Sequence, residues 1–166
     1  MRLHDSIGVA VLYYPVFLDL RGRRVLVVGA GRVGLRKIRG LLEAGAEVTV
    51  VDPHGSPELE RLPIHLRRRR FRRADVRRHV LVFAATDQRD VNRAVAEEAR
   101  RLGIWVNVAD NPAECDFLVP ARVRRGNLQI AVSTGGQSPR LAAELRKKLE
   151  MLLAGEADVV PRRRRR

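Results

Sequence analysis

Residues 24–52 read RVLVVGAGRVGLRKIRGLLEAGAEVTVVD, and this stretch decides the fold. Val25 to Val28 is an apolar, β-branched run, the signature of a strand buried on both faces. Six residues follow with glycine at the first, third and sixth places: Gly29, Ala30, Gly31, Arg32, Val33 and Gly34. A helical pattern then runs to Ala44-Gly45, where glycine ends it, and Glu47 to Val51 is a second strand closing on Asp52. Each glycine has a separate task in such a unit. Gly29 permits a tight turn, Gly31 lets a pyrophosphate approach the backbone, and Gly34 lets helix and strand pack closely. The helix start presents unpaired N–H groups and a positive dipole end to phosphate. Asp52, with Pro53 behind it, stands where a carboxylate accepts the hydroxyls of an adenine ribose; its charge favours NAD over NADP. Arg32, Arg36 and Lys37 are the nearby cations an additional phosphate would use.

The same alternation continues. Pro63 to Phe71 contains a short strand, and Val80 to Ala85 is a continuous apolar strand leading to Thr86-Asp87. Asp87 or Asp90 is placed to cap a helix bearing Val91, Ala94, Val95, Ala99 and Leu102 on one face, stopped at Gly103. Ile104 to Val108 is the next strand. Strand and helix in turn make an α/β fold, a Rossmann-like, mostly parallel, doubly wound sheet whose ligand lies beyond the carboxyl ends of its strands. Thr86, Asp87 and Asp110 follow strand ends and are expected at that crevice.

Beyond Asp110 the pattern changes. Phe117 to Val123 and Leu128 to Val132 read as an antiparallel pair joined by Arg124-Arg125-Gly126-Asn127, an arm of the kind used for dimerisation. Ser133-Thr134-Gly135-Gly136 follows, then Ser138 as N-cap and Pro139 as first residue of a helix with Leu141, Leu145, Leu149 and Leu152 on one stripe. Hydroxyls and glycines ahead of a helix form either an anion cradle or a plain cap. The expected divisions are residues 13–112 for the NAD-binding domain, 113–153 for arm and helix, and 154–166 for a basic, disordered tail.

Composition bounds the function. A chain of 166 residues buries one good core with a small appendage. It has no apolar run of membrane-spanning length and no convincing signal peptide, so a cytoplasmic protein is expected. Cys115 is the single cysteine, which excludes an intrachain disulfide and a cysteine-based zinc site. His4, His54, His65 and His79 lack ligand spacing, so no metal site is expected. The net charge of +14 is concentrated in Arg67–Arg70, Arg72-Arg73, Arg77-Arg78 and the terminal arginines, and it attracts a polyanion. With only Phe71 interleaved, a stacking platform for single strands is poorly supported; nucleic acid and a polycarboxylate ligand are both candidates, beside a solvated arginine-rich face that binds nothing.

Several segments together resemble the precorrin-2 dehydrogenase family, also found as the N-terminal part of siroheme synthases. They are Tyr14-Pro15-Val16-Phe17-Leu18-Asp19-Leu20-Arg21-Gly22, the glycine loop with Arg36-Lys37, Ala84-Ala85-Thr86-Asp87 with Val91-Asn92, Val106-Asn107-Val108-Ala109-Asp110, and Ser133-Thr134-Gly135-Gly136 with Ser138-Pro139. The resemblance spans residues 13 to 153. It implies oxidation of precorrin-2 to sirohydrochlorin with NAD as hydride acceptor, in siroheme or related tetrapyrrole synthesis, by a homodimer with a dimerisation arm and a helical tail. Eight substrate carboxylates would meet the basic surface without nucleic acid. The resemblance makes Asp110 the general base and places Ser133, Thr134, Gly135 and Gly136 near the tetrapyrrole. Some relatives add sirohydrochlorin ferrochelatase activity, which is a secondary expectation here. Thr134 stands where some members carry a phosphorylated serine, Ala30 where a third glycine is common, and a basic tail where a fuller helical domain is usual. Two other classes share parts of the pattern: a regulatory module that binds NAD(H) without turnover, and a basic nucleic-acid-binding protein.

Overall fold

A computed structural model describes residues 12–155. They divide into two compact units, Pro15–Phe117 and a second that takes in 118–155. The basic tail expected over 154–166 lies, from 156 on, outside the described residues.

The first unit is a five-stranded parallel sheet: β1 (Arg24–Val28), β2 (Glu47–Val51), β3 (His65–Arg67), β4 (Leu81–Ala84) and β5 (Trp105–Val108), in the spatial order β3-β2-β1-β4-β5. The order runs outward from β1 on both sides, so the chain reverses direction between β1 and β4 and opens a crevice at their carboxyl ends. Helix α1 (Arg32–Glu43) links β1 to β2, the short α2 (Pro57–Glu60) precedes β3, and α3 (Arg89–Arg101) links β4 to β5. Val25 to Val28 and Leu81 to Ala84 are buried along their whole length, which is why they read as continuous apolar runs. Ile38 and Leu41 of α1 pack with Val48, Val50, Leu59, Leu81 and Phe83 in one core cluster. Gly45 and Gly103 end the two long helices with positive φ (78° and 68°), a backbone that side chains resist.

Helix α3 begins differently from expectation. Its N-cap is Gln88, and neither Asp87 nor Asp90 caps it; the Thr86 hydroxyl accepts the Gln88 N–H at 3.2 Å instead. Asp90 falls in the first turn, where its charge still meets the positive helix end. The buried face is Asn92, Val95, Ala96, Glu98 and Ala99, so two polar residues occupy positions in the inner stripe.

Half of the expected central arginine cluster is engaged in ion pairs within the chain, two of its members with a buried carboxylate. Asp75, 4% exposed, accepts from Arg67 at 2.8 Å and from Arg69 at 2.6 and 2.7 Å, while Arg68 pairs with Glu60 and Arg73 with Glu97 and Glu98. Burial alone would raise the Asp75 pKa, yet its guanidinium partners and the Arg72 N–H hold it down to about 2.

In the second unit, β6 (Ala121–Arg125) and β7 (Leu128–Val132) form an antiparallel hairpin packed on α4 (Pro139–Gly155). The hairpin turns through Gly126-Asn127, with Gly126 at φ 58°. The strand expected from Phe117 starts four residues later. Pro120 has no N–H for a ladder, and Phe117 belongs to the first unit, its ring meeting Phe83 edge-on at 5.4 Å. Pro139 opens α4 and the Ser138 hydroxyl accepts the Leu141 N–H at 3.3 Å, the cap the sequence predicts. The leucine stripe is not core: Leu141, Leu145 and Leu152 are exposed, and Ala142 is the buried residue. Among the described residues no helix is long and apolar enough to cross a membrane.

Candidate functional site

The glycine loop sits at the carboxyl end of β1, between β2 and β4. Gly29 has φ 89°, and a Cβ on it would lie 2.6 Å from the Ala85 carbonyl. A Cβ on Gly34 would collide with the Gly29 carbonyl oxygen and stand 2.9 Å from its carbon. Gly31 is the opposite case: a Cβ there meets nothing within 4 Å. The two outer glycines are therefore required by packing, and the middle one faces open space at the start of α1. That helix has no side-chain cap, so its first N–H groups face the same opening. A pyrophosphate suits the position, because it supplies the acceptors and needs the room a side chain would fill.

Asp52 organises this loop. Its Oδ2 accepts the Ala30 N–H at 2.8 Å, and its Oδ1 accepts those of His54 at 2.9 Å and Gly55 at 3.0 Å. Partial burial works against its charge, but the three amides outweigh it and hold the pKa below the usual carboxylate value. A role in ribose recognition would use the remaining lone pairs of the same two oxygens. Arg32, Val33 and Pro53 are exposed around the loop, and Ala30 is half-buried.

At the carboxyl ends of β4 and β5 a polar network gathers Thr86, Asn92 and Asp110. Asn92 is fully buried. Its Oδ1 accepts the Thr86 N–H at 3.1 Å and hydroxyl at 2.7 Å; its Nδ2 donates to the Thr86 carbonyl and to Asp110 Oδ1, both at 3.0 Å. Arg89 lies 3.7 Å from the same Asp110 oxygen and pairs with Glu114. Asp110 remains 37% exposed, accessible to a ligand yet held on one oxygen. Asp87 is exposed beside this network. Arg89 and Glu114 escaped sequence reasoning because their pairing spans 25 residues and follows no spacing rule. Asn92 carried no signal of its own in the residue spacing: the inner stripe it joins also holds Glu98, a second polar residue.

One turn beyond Gly34, Lys37 crosses the sheet. Its ammonium donates to Asn107 Oδ1 at 2.7 Å and lies 5.1 Å from the centre of the Phe83 ring. Burial, with Arg36 nearby, pushes its pKa down to about 8. Asn107 in turn donates to the Phe117 carbonyl at 2.9 Å, and the buried Cys115 thiol accepts the Val108 N–H at 3.1 Å.

Ser133, Thr134, Gly135 and Gly136 belong to the second unit. The Thr134 hydroxyl donates to the Ser138 carbonyl at 3.0 Å and accepts its N–H at 3.1 Å, and Ser133 Oγ accepts the Gly135 N–H at 3.2 Å. The segment is a closed turn leading into α4. Among the described residues no group of three or more His, Cys, Asp or Glu side chains is placed to hold a metal ion.

The strand order, the three glycines in their separate roles and the acidic end of β2 define a dinucleotide-binding Rossmann protein. Two family models agree with the two units: "Putative NAD(P)-binding" over residues 16–121 and "Sirohaem biosynthesis protein central" over residues 125–152. The solved structure of SirC, a precorrin-2 dehydrogenase, is similar at 33% identity and a TM-score of 0.69, over 88% of this chain and 72% of that one. The chain belongs to the precorrin-2 dehydrogenase and siroheme synthase family. It is 47% identical over 146 residues to the siroheme synthase of Thioalkalivibrio sulfidiphilus and 44% identical over 154 residues to that of Methylococcus capsulatus. It spans 30% and 32% of the lengths of those two proteins, respectively.

Proposed function

We propose that the protein oxidises precorrin-2 to sirohydrochlorin with NAD, as the SirC likeness suggests. The observation that carries this reading is the placement of Asp110, half-exposed and held by Asn92, at the same sheet edge as the glycine loop. Bound NAD supplies the acceptor for the substrate's hydride. Asp110 takes the accompanying proton, and the paired loss of hydride and proton balances the two-electron oxidation. Gly29, Ala30, Gly31, Arg32, Val33 and Gly34 receive the pyrophosphate, Asp52 and Pro53 the adenine ribose, and Thr86 with Asp87 borders the nicotinamide half. Ser133, Thr134, Gly135 and Gly136 contact the tetrapyrrole carboxylates. Residues 13–112 serve the cofactor, and 113–153 the substrate and a homodimer contact; the exposed Leu141, Leu145 and Leu152 support that contact. The protein acts in the cytoplasm, and no nucleic acid enters the reaction.

The test is NADH formation from enzymically generated precorrin-2, with NAD⁺ and with NADP⁺, for the native chain and Asp110→Asn. Turnover with NAD⁺ that falls about a hundredfold or more in the variant is expected, in line with the loss of a general base. Tight NADH binding without turnover would overturn the enzyme reading in favour of a regulatory one.

A further inference from the structure

Asn92 has two amide hydrogens and two acceptor lone pairs, and all four are used. The amide cannot be turned over. Rotation by half a turn would aim Nδ2 at the Thr86 N–H and Oδ1 at both the Thr86 carbonyl and the Asp110 carboxylate, replacing bonds with like-facing pairs. A fully buried side chain with one permitted orientation is a rigid link. It joins Thr86, on the turn leaving β4, to Asp110, on the turn leaving β5. Without it Asp110 would sit half-exposed on a loop, free to choose its rotamer.

The geometry points to Asn92 as a positioning residue that fixes the Asp110 carboxylate relative to the Thr86 turn and commits its Oδ2 to receiving the substrate proton. This rests on the reading of Asp110 as the base. Oδ1 already accepts the Asn92 amide and faces Arg89, so Oδ2 is the oxygen left to meet the substrate proton. Arg89 is shared with Glu114, whereas the Asn92 bond is direct, so Asn92 is the stronger constraint on orientation.

A double-mutant cycle tests it in the full chain. Asn92→Ala and the equal-volume Asn92→Asp are each made in the native and in the Asp110→Asn background; kcat, KM for NAD⁺, NADH affinity and melting temperature are measured. Misplacement of a catalytic group costs on the order of tenfold to a hundredfold in kcat. That loss is expected in the native background, with KM for NAD⁺ changed about twofold or less. In the Asp110→Asn background the same substitutions should change kcat by about twofold or less, because there is no base left to position. Equal losses in both backgrounds would mean a merely structural Asn92 and would overturn the inference alone. If Asp110→Asn turns over as fast as the native chain, the base assignment fails and the inference with it. Should Asn92→Ala not fold, Asn92→Asp decides, since it keeps the side-chain volume and the bonds to the Thr86 N–H and hydroxyl while losing both donated bonds, to the Thr86 carbonyl and to Asp110, and facing the latter with a second carboxylate.

Discussion

Glycine to alanine at positions 31 and 34 separates what the loop does for the fold from what it does for a ligand. At Gly34 the added methyl would overlap the Gly29 carbonyl oxygen and stand 2.9 Å from its carbon, a contact that only a backbone shift relieves. Overpacking of this kind costs about 3 kcal/mol, near the top of the usual range because backbone has to move. For a unit of this size that lowers the melting temperature by roughly 10–20 °C. At Gly31 the methyl enters open space, and the backbone, at φ −62° and ψ −175°, suits any residue. The unfolded chain loses about 0.4–1 kcal/mol of entropy there, and alanine is poorer than glycine as an N-cap by a comparable amount, so the two effects offset. The methyl nevertheless occupies the space a pyrophosphate needs. Calorimetric titration with NADH should show at least a tenfold loss of affinity, about 1.4 kcal/mol, in Gly31→Ala with an unchanged melting temperature. Gly34→Ala should lose both stability and affinity. If Gly31→Ala binds NADH as the native chain does, the pyrophosphate is not at this loop and the cofactor assignment is wrong.

Two further outcomes concern ionisation. Asp75 has a folded pKa near 2 against an ordinary value of 3.8, so its pairing contributes about 2 kcal/mol at neutral pH. A depressed carboxylate pKa stabilises above the unfolded value and is lost as pH falls through the folded one. The gap in urea midpoint between the native chain and Asp75→Asn should therefore close between about pH 4 and 2; a gap that is constant with pH would refute the ion-pair account. Lys37 has the same pH slope but the opposite effect at neutral pH, where its buried charge destabilises: its pKa is lowered from 10.5 to about 8, so the unfolded chain binds more protons in that window and native stability rises with pH. Lys37→Met should flatten that rise in denaturation curves measured from pH 8 to 10.5, and a slope unchanged by the substitution would show that the lysine is not desolvated as described.

The sequence by itself determined the order of strands and helices, the glycine loop and the residues that end strands. These follow from local rules: apolar runs for buried strands, glycine where φ is positive, serine before proline at a helix start. Gly29, Gly34 and Asp52 were legible for that reason, and so was the Ser138 cap; Asp110 stood out through the family resemblance, since its local spacing reads equally as a turn. Tertiary structure alone decided what their side chains do. Asp52 reads as a ribose ligand in the sequence, but its oxygens also tie the turn after β2 to Ala30, 22 residues away. Asn92 looks like an ordinary helical residue until β4 and β5 bring Thr86 and Asp110 to it from six residues before and 18 residues after. The arginine cluster reads as a surface for anions, yet burial of Asp75 takes two of its members into the fold. Lys37 meets Asn107 across 70 residues. Hydrogen bonds and ion pairs of this kind depend on distance in space, and only the packed sheet sets that distance, so residue spacing carries no signal for them.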